Sequence, residues 1–274
     1  MNFIVKEEIE LLDFLYKNIN KSKNSIKNIL KDNTYVNDKK ISKFNYLLKE
    51  NDIVSIKNKI DDIEIIYEDK DFIVVNKPSN LLTIATNKEK EKTLYHMVSN
   101  YIKINNKNNK IFVVHRLDKE TSGIVVFSKS EELKEKLQKD WNTLVKLRGY
   151  VAIVEGNTKD VGTIKSYLKE KDMYTYSTNS KDGKLAITYY KKIKSNDRYT
   201  MLDINIETGR KNQIRVHLKE MGNLIVGDKK YGSKDNSIKR MALHANKLEF
   251  FNPKQKKMMR FEIDIPNSFK KLIK

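Results

Sequence analysis

Asp118 lies in a stretch whose residue types could do chemistry: His115-Arg116-Leu117-Asp118-Lys119-Glu120-Thr121-Ser122-Gly123. A carboxylate with an ordinary pKa near ~3.9 is already ionised at neutral pH, so it can serve as a nucleophile or steady a positive charge without a base to activate it. Taken alone, a loop aspartate is more often a turn former or a solvated charge. A second suspicious stretch runs Thr208-Gly209-Arg210-Lys211-Asn212-Gln213-Ile214-Arg215-Val216-His217-Leu218. It reads as a strand turning into a helix, with Gly209 allowing the turn, Ile214, Leu218 and Met221 buried, and Arg215 one position off that face, near the helix start.

Arginine marks the same two stretches. Only seven of the 55 basic residues are arginine, and Arg116, Arg210 and Arg215 fall inside them. A chain that otherwise uses lysine keeps arginine where a planar, bidentate donor fork is needed. The net charge of +19 points to a polyanionic partner, although a Lys/Asn/Ile bias, visible at residues 103–110, inflates the lysine count without function. The absence of cysteine excludes thiol chemistry and a disulfide framework. His96, His217 and His244 have no metal-ligand spacing, and His217 and His244 sit in apolar contexts as core residues, so no metal is expected. No apolar run has the length of a membrane helix, and the first residues lack a signal-peptide layout, so a cytoplasmic protein is expected.

The elements that must position these residues fall into two groups. Residues 1–58 read as a small module: one helical stripe at Leu11, Leu12, Leu15 and Ile19, a second at Ile26, Ile29 and Leu30, then short extended pieces at 34–37 and 53–56 with a turn at Asn51-Asp52. Its layout resembles the small RNA-binding domain first known from a small-subunit ribosomal protein. Residues 58–62 read as a polar linker, and a larger domain over 59–274 follows. Strands are expected at 63–67, 72–77, 111–114, 124–127, 149–154, 163–168, 185–193 and 201–206, with helices at 93–102 and 131–141. Short strands with few helices predict an α+β fold built on a mixed, largely antiparallel sheet with flanking helices.

With these stretches in order, the chain resembles the RluA-type pseudouridine synthases. His115 to Gly123 looks like their HRLDxxTSG signature. Val74-Val75-Asn76-Lys77-Pro78-Ser79, the strand Arg148 to Gly156, the Thr208 to Leu218 stretch, Gly227-Asp228-Lys229-Lys230-Tyr231-Gly232, and Leu243-His244-Ala245 to Pro253 follow in the family's order over about residues 60–270. Two positions depart from the pattern: Asn80 stands where the family usually has glycine, and Lys211-Asn212 where it usually has Thr-His. Asparagine tolerates the left-handed backbone that glycine would use. The second change leaves no histidine to act at position 212 and leaves Arg215 in place.

The resemblance implies that Asp118 is the catalytic carboxylate, that Tyr150 packs against the target uracil, and that Arg215 pairs with Asp118. Arg116 would contact phosphate or enter the space the base leaves, and Leu117 would line the substrate site. Turning uridine into pseudouridine breaks the bond from ribose to the base nitrogen and rejoins the base through a ring carbon; nothing is oxidised or added, so no cofactor is expected. Arg215 would keep Asp118 charged while lowering its nucleophilicity, and the first effect is expected to win, because a buried, unpaired carboxylate would go neutral. Whether Asp118 attacks the sugar or removes a sugar proton is open. His115 has no obvious proton to move and reads as a structural hydrogen-bonder. Extrusion of a uridine costs a few kcal/mol, and an aromatic platform returns ~1–3 kcal/mol. The expected partner of this monomer is RNA, large-subunit ribosomal RNA first and transfer RNA second, with no membrane partner. A non-catalytic RNA-binding or assembly factor competes with this reading; a glycoside hydrolase would want two flanking carboxylates.

Overall fold

A computed structural model describes residues 2–19, 22–56, 59–60, 63–87, 89–172, 174–180 and 182–274. The chain divides into two compact units, Met1–Ile65 and Ile66–Lys274. Of the expected linker, Asn58, Asp61 and Asp62 lie outside the described residues, while Lys59–Ile60 pairs with Ile63 and Glu64 as a short antiparallel ladder. No helix among the described residues is long and apolar enough to cross a membrane.

In the first unit, helices Leu11–Asn18 and Lys23–Asn33 cover a small antiparallel sheet ordered Asn2–Ile4, Ile53–Ile56, Thr34–Val36, Lys39–Lys40. Leu11, Leu15, Ile26, Leu30 and Val54 form its core. Asn37 and Asp38 both take positive φ, as a tight hairpin turn requires. The strand Asn2–Ile4 was not expected; three residues give too little alternation to read.

The second unit is built on one twisted sheet. Among its twelve strands are β1 (Phe72–Lys77), β2 (Ser122–Ser128), β3 (Val145–Glu155), β4 (Val161–Lys171), β5 (Tyr174–Thr178), β6 (Lys184–Ser195), β7 (Tyr199–Ile206), β8 (Leu243–Asn252) and β9 (Lys257–Glu262). From one edge the order is β5-β4-β6-β7-β3-β8-β2-β1, with β9 paired to β8. Neighbours with a defined register are antiparallel except β2 and β8, which run parallel at Ser122 and Gly123. The α+β class and the largely antiparallel sheet therefore stand. Helices α1 (Leu94–Asn105), α2 (Glu131–Lys139), α3 (Gln213–Glu220) and α4 (Asn267–Leu272) flank it. Thr93 and Ser130 cap α1 and α2 through their hydroxyls. The expected helix at 131–141 ends at Lys139, and a separate turn Trp141–Leu144 follows.

Register brings the site together. Gly123 on β2 lies opposite Ala245 on β8, and Ala245 lies opposite Tyr150 on β3. The loop before Gly123 and the Tyr150 side chain thus reach the same end of the sheet. Between Gly149 and Tyr150 the pairing skips Asn246, a bulge of the kind that re-aims a side chain beside a site. Gly123 is glycine for two reasons. Its φ is +124°, and a Cβ there would stand 2.1 Å from the Ala245 carbonyl oxygen.

Candidate active site

The loop carrying Asp118 has little regular structure and is fixed by side chains instead. The strand expected at 111–114 shrinks to Phe112–Val113, paired with the far end of β2. Beyond it, His115 Nε2 accepts the Val126 backbone N–H at 3.2 Å. The Thr83 hydroxyl accepts from the Leu117 N–H and donates to the Leu117 carbonyl. Ser79 donates to the Glu120 carbonyl at 2.6 Å. Lys77 is wholly buried, and its ammonium donates to the carbonyls of Pro78, Leu81 and Lys119. Burial draws its pKa down to about 7 against the pull of Asp118 and Glu120. Asn80 beside this contact takes φ 65° in place of a glycine.

Arg215, expected beside the buried face of α3, is itself buried at 3% exposure. Its fork closes on Asp228, with Nε to Oδ2 at 2.8 Å and Nη2 to Oδ1 at 2.6 Å. Nη1 is left for Glu120 at 3.3 Å and Asp118 at 3.6 Å. The primary partner is therefore Asp228, because a bidentate pair inside the fold outweighs a single longer contact.

Asp118 titrates above its ordinary value in spite of Arg215. Burial comes first and pushes its pKa up, Arg215 opposes, and the Glu120 carboxylate adds to the rise. The Asn212 amide contributes on the other side. In the orientation that satisfies both its ends, its nitrogen donates to Asp118 Oδ2 at 2.8 Å, and its oxygen accepts from the Tyr231 hydroxyl and the Lys230 ammonium, each at 3.0 Å. Asn212 reaches this place from a left-handed backbone, φ 53°, immediately before α3. The special conformation in this turn belongs to Asn212; Gly209 is not among the residues with positive φ.

Asp118, Arg116, Leu117, Tyr150 and Arg215 all line one cavity of about 100 Å³. Arg116 is exposed at its mouth and Leu117 is 7% exposed at its wall. The Tyr150 hydroxyl is pushed up to about 12 by burial, so it stays protonated. Burial draws His115, His217 and His244 down to about 4. His244 Nδ1 meets the Ser122 hydroxyl at 2.7 Å and His217 meets Ser166 and Thr188, so these rings are neutral struts.

Sequence reasoning passed over Asn212, Asp228, Tyr231 and Lys77 as participants. The usable signal was the Gly-Asp-x-x-Tyr-Gly pattern soon after Arg215, since an isolated Asp-Tyr pair between two glycines that turn the chain is a held loop. Five of the seven arginines, Arg116, Arg148, Arg210, Arg215 and Arg240, line this cavity or its two neighbours.

Residues 71–220 match the family model of RNA pseudouridylate synthases. The chain belongs to this family. It is 32% identical over 229 residues to the uncharacterised RNA pseudouridine synthase YhcT of Bacillus subtilis (strain 168), covering 82% of this chain and 76% of that one. It is 36% identical over 217 residues to ribosomal large subunit pseudouridine synthase C of Rickettsia prowazekii (strain Madrid E), covering 76% and 70%. The fold is that of human RNA pseudouridylate synthase domain containing 4, with TM-score 0.62, 21% identity and coverage of 75% of this chain and 89% of that one. The enzyme is a pseudouridine synthase, an isomerase acting on uridine in RNA.

Proposed function

We propose that this pseudouridine synthase acts on large-subunit ribosomal RNA, with Asp118 working at the ribose of an extruded uridine. The observation that carries the reading is the shared cavity: Asp118, its side chain 26% exposed, opens with Tyr150 and Arg116 into one space backed by Arg215. Tyr150 offers a ring face to the uracil, and the exposed Arg116 guanidinium meets backbone phosphate or fills the gap left in the stack. Leu117 closes the apolar wall, and Arg215 faces Asp118 while anchored on Asp228. Both ways of using Asp118, attack on the ribose carbon or removal of a ribose proton, need the ionised carboxylate. Arg215 and the Asn212 amide favour that form. During the isomerisation the base nitrogen gains a proton and the ring carbon that joins the sugar loses one, so no redox partner enters.

The ribosomal target is supported by the relative from Rickettsia prowazekii, whose name places it on the large subunit, and by the charge of +19. Residues 1–58 serve as the RNA-docking module and 59–274 as the catalytic domain.

Incubating the protein with unmodified ribosomal and transfer RNA and mapping pseudouridine tests the proposal. Wild type is expected to convert uridine in the large-subunit RNA and Asp118→Asn to convert none. Equal conversion by Asp118→Asn removes the carboxylate from the mechanism, and conversion of transfer RNA alone removes the ribosomal target. Deleting residues 1–58 is expected to weaken capture of long RNA more than turnover on a short fragment.

A further inference from the structure

A larger cavity, about 500 Å³, shares Arg215 as a lining residue with the Asp118 pocket. Its wall carries Lys229, Lys230, Lys239, Arg240 and Arg215 against the two carboxylates of Glu120 and Asp228. Both carboxylates are engaged by Arg215, at 3.3 Å and 2.6 Å. Arg240 makes no ion pair with either of them, nor with any other carboxylate among the described residues.

Arg240 decides what that space is for. Its Nε donates to the Met241 carbonyl at 3.1 Å, its Nη2 donates to the Ser122 hydroxyl at 2.5 Å and the Leu243 carbonyl at 3.4 Å, and its guanidinium lies 5.1 Å from the Phe269 ring centre. Every one of these partners is neutral. Burial lowers its pKa to about 10, the sign of a cation whose lost hydration no counter-charge replaces. With its Nε and Nη2 hydrogens already committed to neutral partners, Arg240 keeps Nη1 for an incoming anion, and a half-buried guanidinium without a carboxylate suits one.

We propose that this cavity is a phosphate subsite, in which Arg240 and Lys239 grip a backbone phosphodiester of the substrate strand next to the extruded uridine. The proposal rests on the RNA-isomerase reading. The two cavities share Arg215 as a wall, so a strand placing its uracil on Tyr150 passes its neighbouring linkage to the Arg240 side. Arg240 also holds Ser122, inside the stretch that carries Asp118, so an anion bound there presses on the site without touching the reacting atoms.

The test is binding of a fluorescein-labelled heptauridylate, followed by anisotropy across a range of KCl concentrations, to wild type, Lys239→Ala and Arg240→Gln. Lys239 is exposed, so its truncation leaves the core intact even if Arg240→Gln weakens the fold. Each variant is expected to bind roughly three- to tenfold more weakly, with the slope of log affinity against log salt shallower by about 0.7, the loss of one single-strand phosphate contact. A series of oligonucleotides with one neutral methylphosphonate linkage at each position should show one costly position in wild type, and that cost should shrink in Lys239→Ala. Affinity and slope equal to wild type in both variants overturn the subsite. A melting temperature raised by inorganic phosphate with no linkage dependence assigns the cavity to a free anion and overturns its RNA role. Pseudouridine mapping with the same proteins separates the two readings: the expected binding without any pseudouridine refutes the function alone, and normal pseudouridine with unchanged binding refutes the subsite alone.

Discussion

Arg215 holds Asp228 with both arms of its guanidinium and reaches Asp118 only with the remaining nitrogen, 3.6 Å away. Asp228 is thus the fixed point from which Arg215 is aimed. Asp228→Asn leaves a buried guanidinium without its bidentate partner, and breaking such a pair costs about 3–5 kcal/mol. Urea denaturation should show that loss. At temperatures where the variant remains folded, pseudouridine formation should fall because Arg215 turns toward Asp118 and Glu120. Unchanged stability would mean that the pair contributes nothing.

The Asn212 amide gives a pH prediction. Its N–H stabilises the ionised Asp118, while burial favours the neutral form. The proposed mechanism uses the ionised carboxylate, so activity should be lost as pH falls through a pKa already raised above the ordinary value. Asn212→Ala should raise that pKa further, by about one unit for a lost charge-assisted bond of ~1.5 kcal/mol. The acid limb of kcat/KM should therefore move to higher pH. An acid limb that stays in place in the variant would show that the amide does not contact Asp118 in solution.

Tyr150 should be separable into ring and hydroxyl. Its phenol is held protonated, so Tyr150→Phe should keep most activity, whereas Tyr150→Ala should lose about ten- to a hundredfold in kcat/KM, matching ~1–3 kcal/mol of base stacking. Equal losses in both variants would give the hydroxyl the larger role.

At Gly123 the expected effect is on folding. Gly123→Ala places a Cβ 2.1 Å from the Ala245 carbonyl oxygen at φ +124°, so β2 and β8 must part. The backbone strain alone is of order 1–3 kcal/mol, and the clash adds to it. Thermal melts should drop sharply, and a variant as stable as wild type would contradict the close strand approach.

The Asp118 loop and the Arg215 helix were legible because each is local: apolar runs bracket the first, and helical spacing of Ile214 and Leu218 marks the second. Even so, the full burial of Arg215 was not legible, since it depends on Asp228, thirteen residues further on in a loop without periodicity. Asn212 was legible only as a departure; its contact with Asp118 joins segments far apart in the chain and leaves no trace in local pattern. The two-residue strand Phe112–Val113 fell short of expectation because His115 and the Thr83 hydroxyl supply by side chain the bonds that a longer ladder would have made. Lys77 reads as a surface charge until its three carbonyl acceptors are seen.

The parallel contact of Ser122 and Gly123 with His244 and Ala245 joins segments some 120 residues apart in the chain. A pairing of such separation is costly in loop entropy and forms late. On the ribosome, the Asp118 loop emerges long before the strand that locks it. A nascent chain that has passed residue 220 but not residue 245 holds the arginine-bearing helix and the aspartate, yet lacks the β8 strand that joins Gly123 to Tyr150.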